Sequence, residues 1–423
     1  MRNVLLTPAV FLLSVFIFSH SFAQSITPTQ QAYNYLLDHY GIDQKAIGDL
    51  KIKDHYRTDH NGVEHYHFCQ VVNGFDVFGS HFNLAVQTTG KVSASGHSLH
   101  ILKDVRVSNS KASIDAPAAI GIVAGSLGIA SRSFPTVTRT LASGVPVYTK
   151  ADISHQDIPA ELGYIMKAGE LILTWKLQIE STKNGNLYES FVNANNGKLI
   201  ANDQLTLHCS FEKGFLQPST NCDSPHAPFI QAPPPVNAVG SYRVLPLGTE
   251  SPNHGSFELV TGKDDVLASP FGWHDNNGVA GNDFTYTRGN NVHAFLDRNW
   301  DYVPDGELDG GASLLFDFPY DPSTEPSANQ NVALTNLFYW NNVMHDFAFR
   351  YGFNEVAGNF QDRNYSGQAA NQDYVEAHSQ FGDMDVDMCG QQANGGMACL
   401  NNADFSTPSD GFNGRMRMFT WNL

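Results

Sequence analysis

Positive charge is scarce in this sequence: 25 lysines and arginines stand against 42 aspartates and glutamates, giving a formal net charge of −17 over 423 residues. No stretch gathers the basic residues into a stripe that could follow a phosphate backbone, which argues against nucleic-acid binding. There is no Gly-x-Ser-x-Gly and no Gly-x-x-x-x-Gly-Lys-Ser/Thr, so the usual marks of a serine hydrolase and of a nucleoside-triphosphate site are missing. Cys-x-x-Cys is absent as well, which removes thiolate zinc ligation and thioredoxin-like redox chemistry. Beyond the N-terminus, no apolar run approaches the roughly 20 residues that cross a bilayer.

What is present begins with Arg2, an apolar run from Val4 to Phe18, and the small-x-small triplet Ser21-Phe22-Ala23. This pattern predicts a signal peptide over residues 1–23 and an exported mature chain. Export makes disulfides available, and spacing divides the five cysteines into Cys209 with Cys222, Cys389 with Cys399, and Cys69 alone. Each local pair is expected to clamp a loop. Cys69 sits in an apolar strand pattern and reads as a buried structural thiol.

Length predicts two or three domains. Tyr33, Leu36, Leu37 and Tyr40 recur at helical spacing ahead of Gly41, and strands follow around the turn Asn73-Gly74 and before Gly90. The same grammar then repeats. An alanine-rich helix from Ala116 to Leu127 precedes strands at Leu171–Ile179, Tyr188–Val192 and Leu199–Ile200, joined at Asn184-Gly185 and Asn196-Gly197. The expected class is α+β, with two tandem helix-on-antiparallel-sheet units over residues 24–110 and 111–205. Prolines between Pro218 and Pro235 mark residues 206–239 as an extended linker. After it, glycine-, asparagine- and aspartate-rich short strands lead to a long helix over Val332–Tyr351, with an expected core face of Leu334, Leu337, Phe338, Met344, Phe347 and Tyr351.

From about Gly240 onward, several strings resemble the fungalysin family of secreted zinc metallopeptidases. They are Ser269-Pro-Phe-Gly-Trp-His274, Tyr286-Thr-Arg-Gly-Asn-Asn-Val292, Thr335-Asn-Leu-Phe-Tyr-Trp-Asn-Asn-Val-Met-His-Asp346, Ala357-Gly-Asn-Phe360, Asn401-Asn-Ala-Asp-Phe405 and Gly414-Arg-Met-Arg-Met418. The N-terminal units resemble the family's propeptide, a fungalysin/thermolysin-type domain followed by a cystatin-like one. The resemblance implies that residues 240–423 are the β-rich first half of a thermolysin-like catalytic domain. It also implies a prosegment that aids folding and blocks the cleft, and processing near Ala238, Val239 and Gly240. Protein or peptide substrates and a zinc cofactor follow from it too; no membrane partner is expected.

The zinc site itself is not in the sequence. Two imidazoles one helical turn apart, with a glutamate base between them, present a tetrahedral metal and its water on one face. None of the 17 histidines is followed by glutamate, and no two are four positions apart. In the family that helix follows the Gly-Arg-Met-Arg-Met strand, so the expectation is a chain that stops before it and is inactive alone. An unpartnered apolar surface is then expected at Met416, Met418 and Trp421.

Asn402 and Ala403 resemble the substrate-holding edge strand of thermolysin-like peptidases. The plain alternative is that Asn402 makes a turn while Phe405 packs in the core. Asp297, Asn299, Asp301 and Asp305 alternate like the oxygen ligands of a calcium loop, against the alternative of a solvated acidic loop. Asp383, Asp385 and Asp387 form a weaker run of the same kind. His345 and Asp346, adjacent on a helix, are expected not to face each other, and His55, His60, His65 and His67 read as a solvated sheet face. Two other functions compete with the peptidase precursor: a stand-alone inhibitor or chaperone acting in trans, and a non-catalytic calcium-binding protein.

Overall fold

The computed structural model describes residues 26–58, 61–210, 239–367, 372–383 and 400–421. The expected signal peptide, Ala238, Cys222, Cys389, Cys399, His60, Asp385 and Asp387 lie outside them, and the Cys209 side chain is not described.

Helix α1 (Pro28–Tyr40) is capped by Thr27, whose hydroxyl accepts from the Gln30 amide, and it stops at Gly41 with φ 68°. That left-handed backbone suits glycine, which has no Cβ to clash. Next come α2 (Gln44–Ile47), β1 (Asp49–Arg57), β2 (Glu64–Val72), β3 (Phe75–Phe78), β4 (Phe82–Val86), β5 (Val92–His97) and β6 (Arg106–Val107). Positive φ at both Asn73 and Gly74 makes the tight hairpin that their pairing predicts. The second unit is α3 (Ala116–Ser126), β7 (Val137–Thr140), β8 (Pro146–Tyr148), β9 (Ile158–Lys167), β10 (Glu170–Glu180), β11 (Leu187–Asn193) and β12 (Leu199–Gln204).

The two units do not keep separate sheets. β3 lies parallel to β9, Val77 opposite Tyr164, which joins them into one 12-stranded sheet. α1 buries Ala32 and Leu36 against Phe68, Phe82 and Leu84. α3 buries Ile120 and Val123 against Ile158, Leu177 and Val192, and Val77, Tyr164 and Leu173 fill the seam between the units. The Asp115 carboxylate caps α3 by accepting from the Ala118 amide at 2.9 Å. Asp115→Ala is therefore expected to lower stability by about 0.5–2 kcal/mol in thermal denaturation. An unchanged midpoint would mean that packing alone holds the helix end.

The C-terminal part contains β14 (Ser241–Val244), β15 (Glu258–Thr261), β16 (Val292–Leu296), β17 (Leu315–Phe316), α4 (Gln330–Arg350), β18 (Val375–Ser379), β19 (Asn402–Ser406) and β20 (Gly414–Met418). A further strand, β13 (Leu207–Ser210), comes from the start of the expected linker and completes the sheet order β13-β19-β20-β18-β16. α4 packs Leu334, Phe338 and Tyr339 over Val292, Ala294 and Ala377 of this sheet.

The expected core face of α4 is half wrong. Leu334 and Phe338 are buried, but Met344, Phe347 and Tyr351 are exposed. The buried side of the C-terminal half carries Asn342 and Asp346 instead. Asn342 accepts from Asn291 at 3.1 Å, while Asp346 accepts from the Trp273 indole at 2.8 Å and the Ser269 hydroxyl at 2.7 Å. Buried polar groups are tolerated when bonded in this way, and an aromatic stripe can then face outward. Met416, Met418 and Trp421 are half-buried, with Met416 packed against the α4 core, whereas Met344, Phe347 and Tyr351 on α4 are exposed.

Candidate functional site: strand β19 and the interface beside it

β19 carries both expected substrate-binding residues, and Asn402 is strand rather than turn. One side of β19 pairs with β20, and the other is taken by β13. The β13 register sets Leu207 opposite Phe405, Cys209 opposite Ala403 and Ser210 opposite Asn402. An open sheet edge is a template for any extended chain, and here the chain's own N-terminal part supplies it. Asn402 is buried, and its Oδ1 has no hydrogen-bond partner among the described residues. Beside it, the Thr206 and Ser406 hydroxyls meet at 2.9 Å, and His208 Nδ1 lies 3.6 Å from Asp404.

From there the contact continues along β20. Its alternation places Arg415 and Arg417 on one buried side, toward the N-terminal sheet, with Met416 turned the other way toward α4. Arg415 pairs with Glu180 of β10 and, at 3.1 Å, with Glu376. Burial works against the Arg415 charge, but Glu180 and Glu376 raise its pKa above the usual arginine value. Burial in turn raises the Glu180 pKa, with Arg415 opposing. Arg417 holds Asp404 at 2.6 Å and donates to the Tyr302 hydroxyl at 2.7 Å. Arg139 donates to the Gly411 carbonyl at 2.8 Å, and Gln178 accepts from the Ser409 amide at 3.0 Å.

Asp404 and the two arginines lie in strings that sequence reasoning picks out, but Glu180, Glu376, Tyr302, Arg139 and Gln178 do not. The available signal was period-two charge in a buried strand, which demands counterions from elsewhere.

Among the described residues, no three or more His, Cys, Asp or Glu side chains are placed to hold a metal ion. In the acidic loop, Asp297 is buried and bonds His378 at 2.7 Å. Asp301 and Asp305 close the loop by accepting from the Val303 and Arg298 amides. Asn299 donates to Asp301 at 3.1 Å. Burial, followed by the charges of Asp301 and Asp305, pushes the Asp297 carboxyl up to about 7. Asp383 pairs with Arg298 at 2.7 Å.

His345 and Asp346, against expectation, do meet at 3.0 Å, and Asn359 holds the other ring nitrogen at 3.0 Å. His65 and His67 stack on Tyr56 and bond Thr58 and Asn83. Cys69 is buried and free, and burial pushes its thiol up to about 11. Val239 is exposed, and Gly240 leads into β14, whose Ser241 amide donates to the Leu314 carbonyl at 2.9 Å. No described helix is long and apolar enough to cross a membrane.

Comparison with known proteins places these features. Residues 241–423 match the family model of the fungalysin metallopeptidases (M36), and residues 48–99 match the fungalysin/thermolysin propeptide motif. An extracellular metalloproteinase of Pyrenophora tritici-repentis is 29% identical over 381 residues, 88% of this chain and 50% of that protein. One from Leptosphaeria maculans is 30% identical over 380 residues, 88% of this chain and 51% of that protein. The chain thus spans about half the length of the curated relatives it matches. Among solved structures, the C-terminal domain of YpeB from Bacillus megaterium aligns over 41% of this chain and 62% of that one, at 14% identity and a TM-score of 0.21, which carries no argument.

Proposed function

With residues 241–423 matching the fungalysin metallopeptidase family model and residues 48–99 the propeptide motif, we propose that this chain is precursor material of an exported zinc metalloendopeptidase. In this reading the segment up to Ser210 aids folding and covers the substrate strand, with a cystatin-like second unit as part of it. The observation that carries the reading is the antiparallel pairing of β13 on β19. A peptide substrate bound as an added strand would need the same backbone donors and acceptors, so cover and substrate exclude each other.

Processing between Ala238 and Ser241 suits this arrangement. It would leave β14 as the first strand of the peptidase part, still paired to β15 and β17.

Zinc, when bound in such a peptidase, supplies a Lewis acid and an activated water. The described residues do not offer its donor set, and the sequence holds no His-Glu-x-x-His, so no hydrolytic step is assigned to them. What these residues do is bind and cover. Casein incubated with the purified chain and one equivalent of zinc is expected to remain intact, with or without chelator. Chelator-sensitive digestion by contaminant-free protein would overturn the assignment of inactivity.

The cover has its own test. His208→Pro removes an amide from β13, and the β19 amides are expected to exchange at least about tenfold faster with solvent deuterium. Unchanged protection would mean that β13 does not shield the strand.

A further inference from the structure

The contact between the N-terminal sheet and β20 is built around one imidazole. His155 lies between β8 and β9, and its backbone amide donates to the Glu180 carbonyl at 2.9 Å. Its ring stacks on Tyr302 with centroids 3.7 Å apart and planes 23° apart, and its Nε2 is buried with no hydrogen-bond partner among the described residues. The groups facing it come from every neighbouring element. β20 supplies Arg415, whose guanidinium lies 4.6 Å from the Tyr302 ring centroid, and Arg417, bonded to the Tyr302 hydroxyl. His378 faces it from β18 and Lys150 from its own loop. The carboxylates of Glu180, Glu376 and Asp404 are each already engaged by one of the two arginines. A proton on His155 would therefore place a third cation beside two buried guanidiniums.

We propose that His155 is an acid-sensitive release switch, whose protonation undocks the N-terminal sheet from β20 and frees β19 from β13. The idea rests on the reading of β13 as a cover.

Burial, reinforced by Arg415 and Arg417, holds the imidazole down to about 3 in the docked state. In the open state it returns toward its ordinary value of about 6.5. A group depressed in the docked state contributes fully above its free pKa and loses that contribution as pH falls. Docking should therefore weaken by about tenfold per pH unit below pH ~6.5. Glu180 acts in the opposite sense: burial raises its pKa on docking, so it opposes the His155 effect from the ordinary carboxylate range upward to its raised docked value, and the comparison with His155→Gln separates the two. His378 is depressed by burial and by Arg415, and it adds to the His155 effect only if opening wets it.

The experiment is hydrogen exchange on the whole chain between pH 7.5 and 5.5, corrected for intrinsic rates, and read at the amides of β19 and β20. Wild-type protection is expected to fall about tenfold between pH 7.5 and 5.5, while His155→Gln holds its protection within about threefold. An equally steep fall in both proteins, or no fall in the wild type, would overturn the switch. Should the variant fail to fold, the wild-type His155 ring proton decides by NMR: a midpoint near pH 6.5 with β19 still protected rules the switch out. Absence of protection at pH 7.5 would instead strike the covering role of β13.

Discussion

Arg415→Ala is expected to destabilise the folded chain by about 3–5 kcal/mol in urea denaturation, because it strips the cation from a buried carboxylate. Arg415 and Glu180 keep side-chain exposures of only 4% and 2%. Neither can be hydrated in place, so removing one leaves the other charged and unsolvated, or forces Glu180 to take a proton. Glu376, with 23% exposure, retains some access to water and suffers less. A double variant with Glu180→Leu separates this cause from lost packing. It is expected to recover a large part of the loss, because no Glu180 carboxylate is then left buried without its cation. Additive losses in the two single variants would show that the pair is not coupled.

The turn between β10 and β11 should be nearly as sensitive. Gly185 has φ +64°, and a Cβ built on it would overlap the Tyr302 hydroxyl and Nη1 of Arg417. Gly185→Ala therefore meets two costs: a left-handed backbone for a residue with a side chain, about 1 kcal/mol, and overpacking at a buried contact, about 1–3 kcal/mol more. Gly169→Ala is the matched control. Its φ is +79°, but a Cβ there meets nothing within 4 Å, so only the backbone cost applies. The measured difference between the two variants isolates how closely the N-terminal sheet sits on β20. If they lose the same stability, the hairpin is not held against Tyr302 in solution.

The two residues also mark where sequence reading succeeds and fails. Asn184-Gly185 is legible as a turn from its residue types alone, but nothing in that pair says that an arginine 232 positions later (417 − 185) would press against it. The Arg-Met-Arg alternation shows a strand with charge on one side. Its counterion Glu180 lies 235 residues away and reads locally as the end of an apolar strand. The long helix was readable in extent, but of its two apolar stripes the one holding Met344, Phe347 and Tyr351 turned outward. Asn342 and Asp346 bring the other side inward through partners that the helix sequence does not contain.

By itself, the sequence determined the helices, the hairpin turns and the family strings, because these depend on backbone geometry repeated over a few neighbouring residues. Only the tertiary structure decided that the two N-terminal units share one sheet, that the start of the linker becomes the strand covering Asn402, and that two arginines find their carboxylates across the interface. Those pairings are chosen by desolvation and fit between segments far apart in the chain, and no local periodicity encodes them.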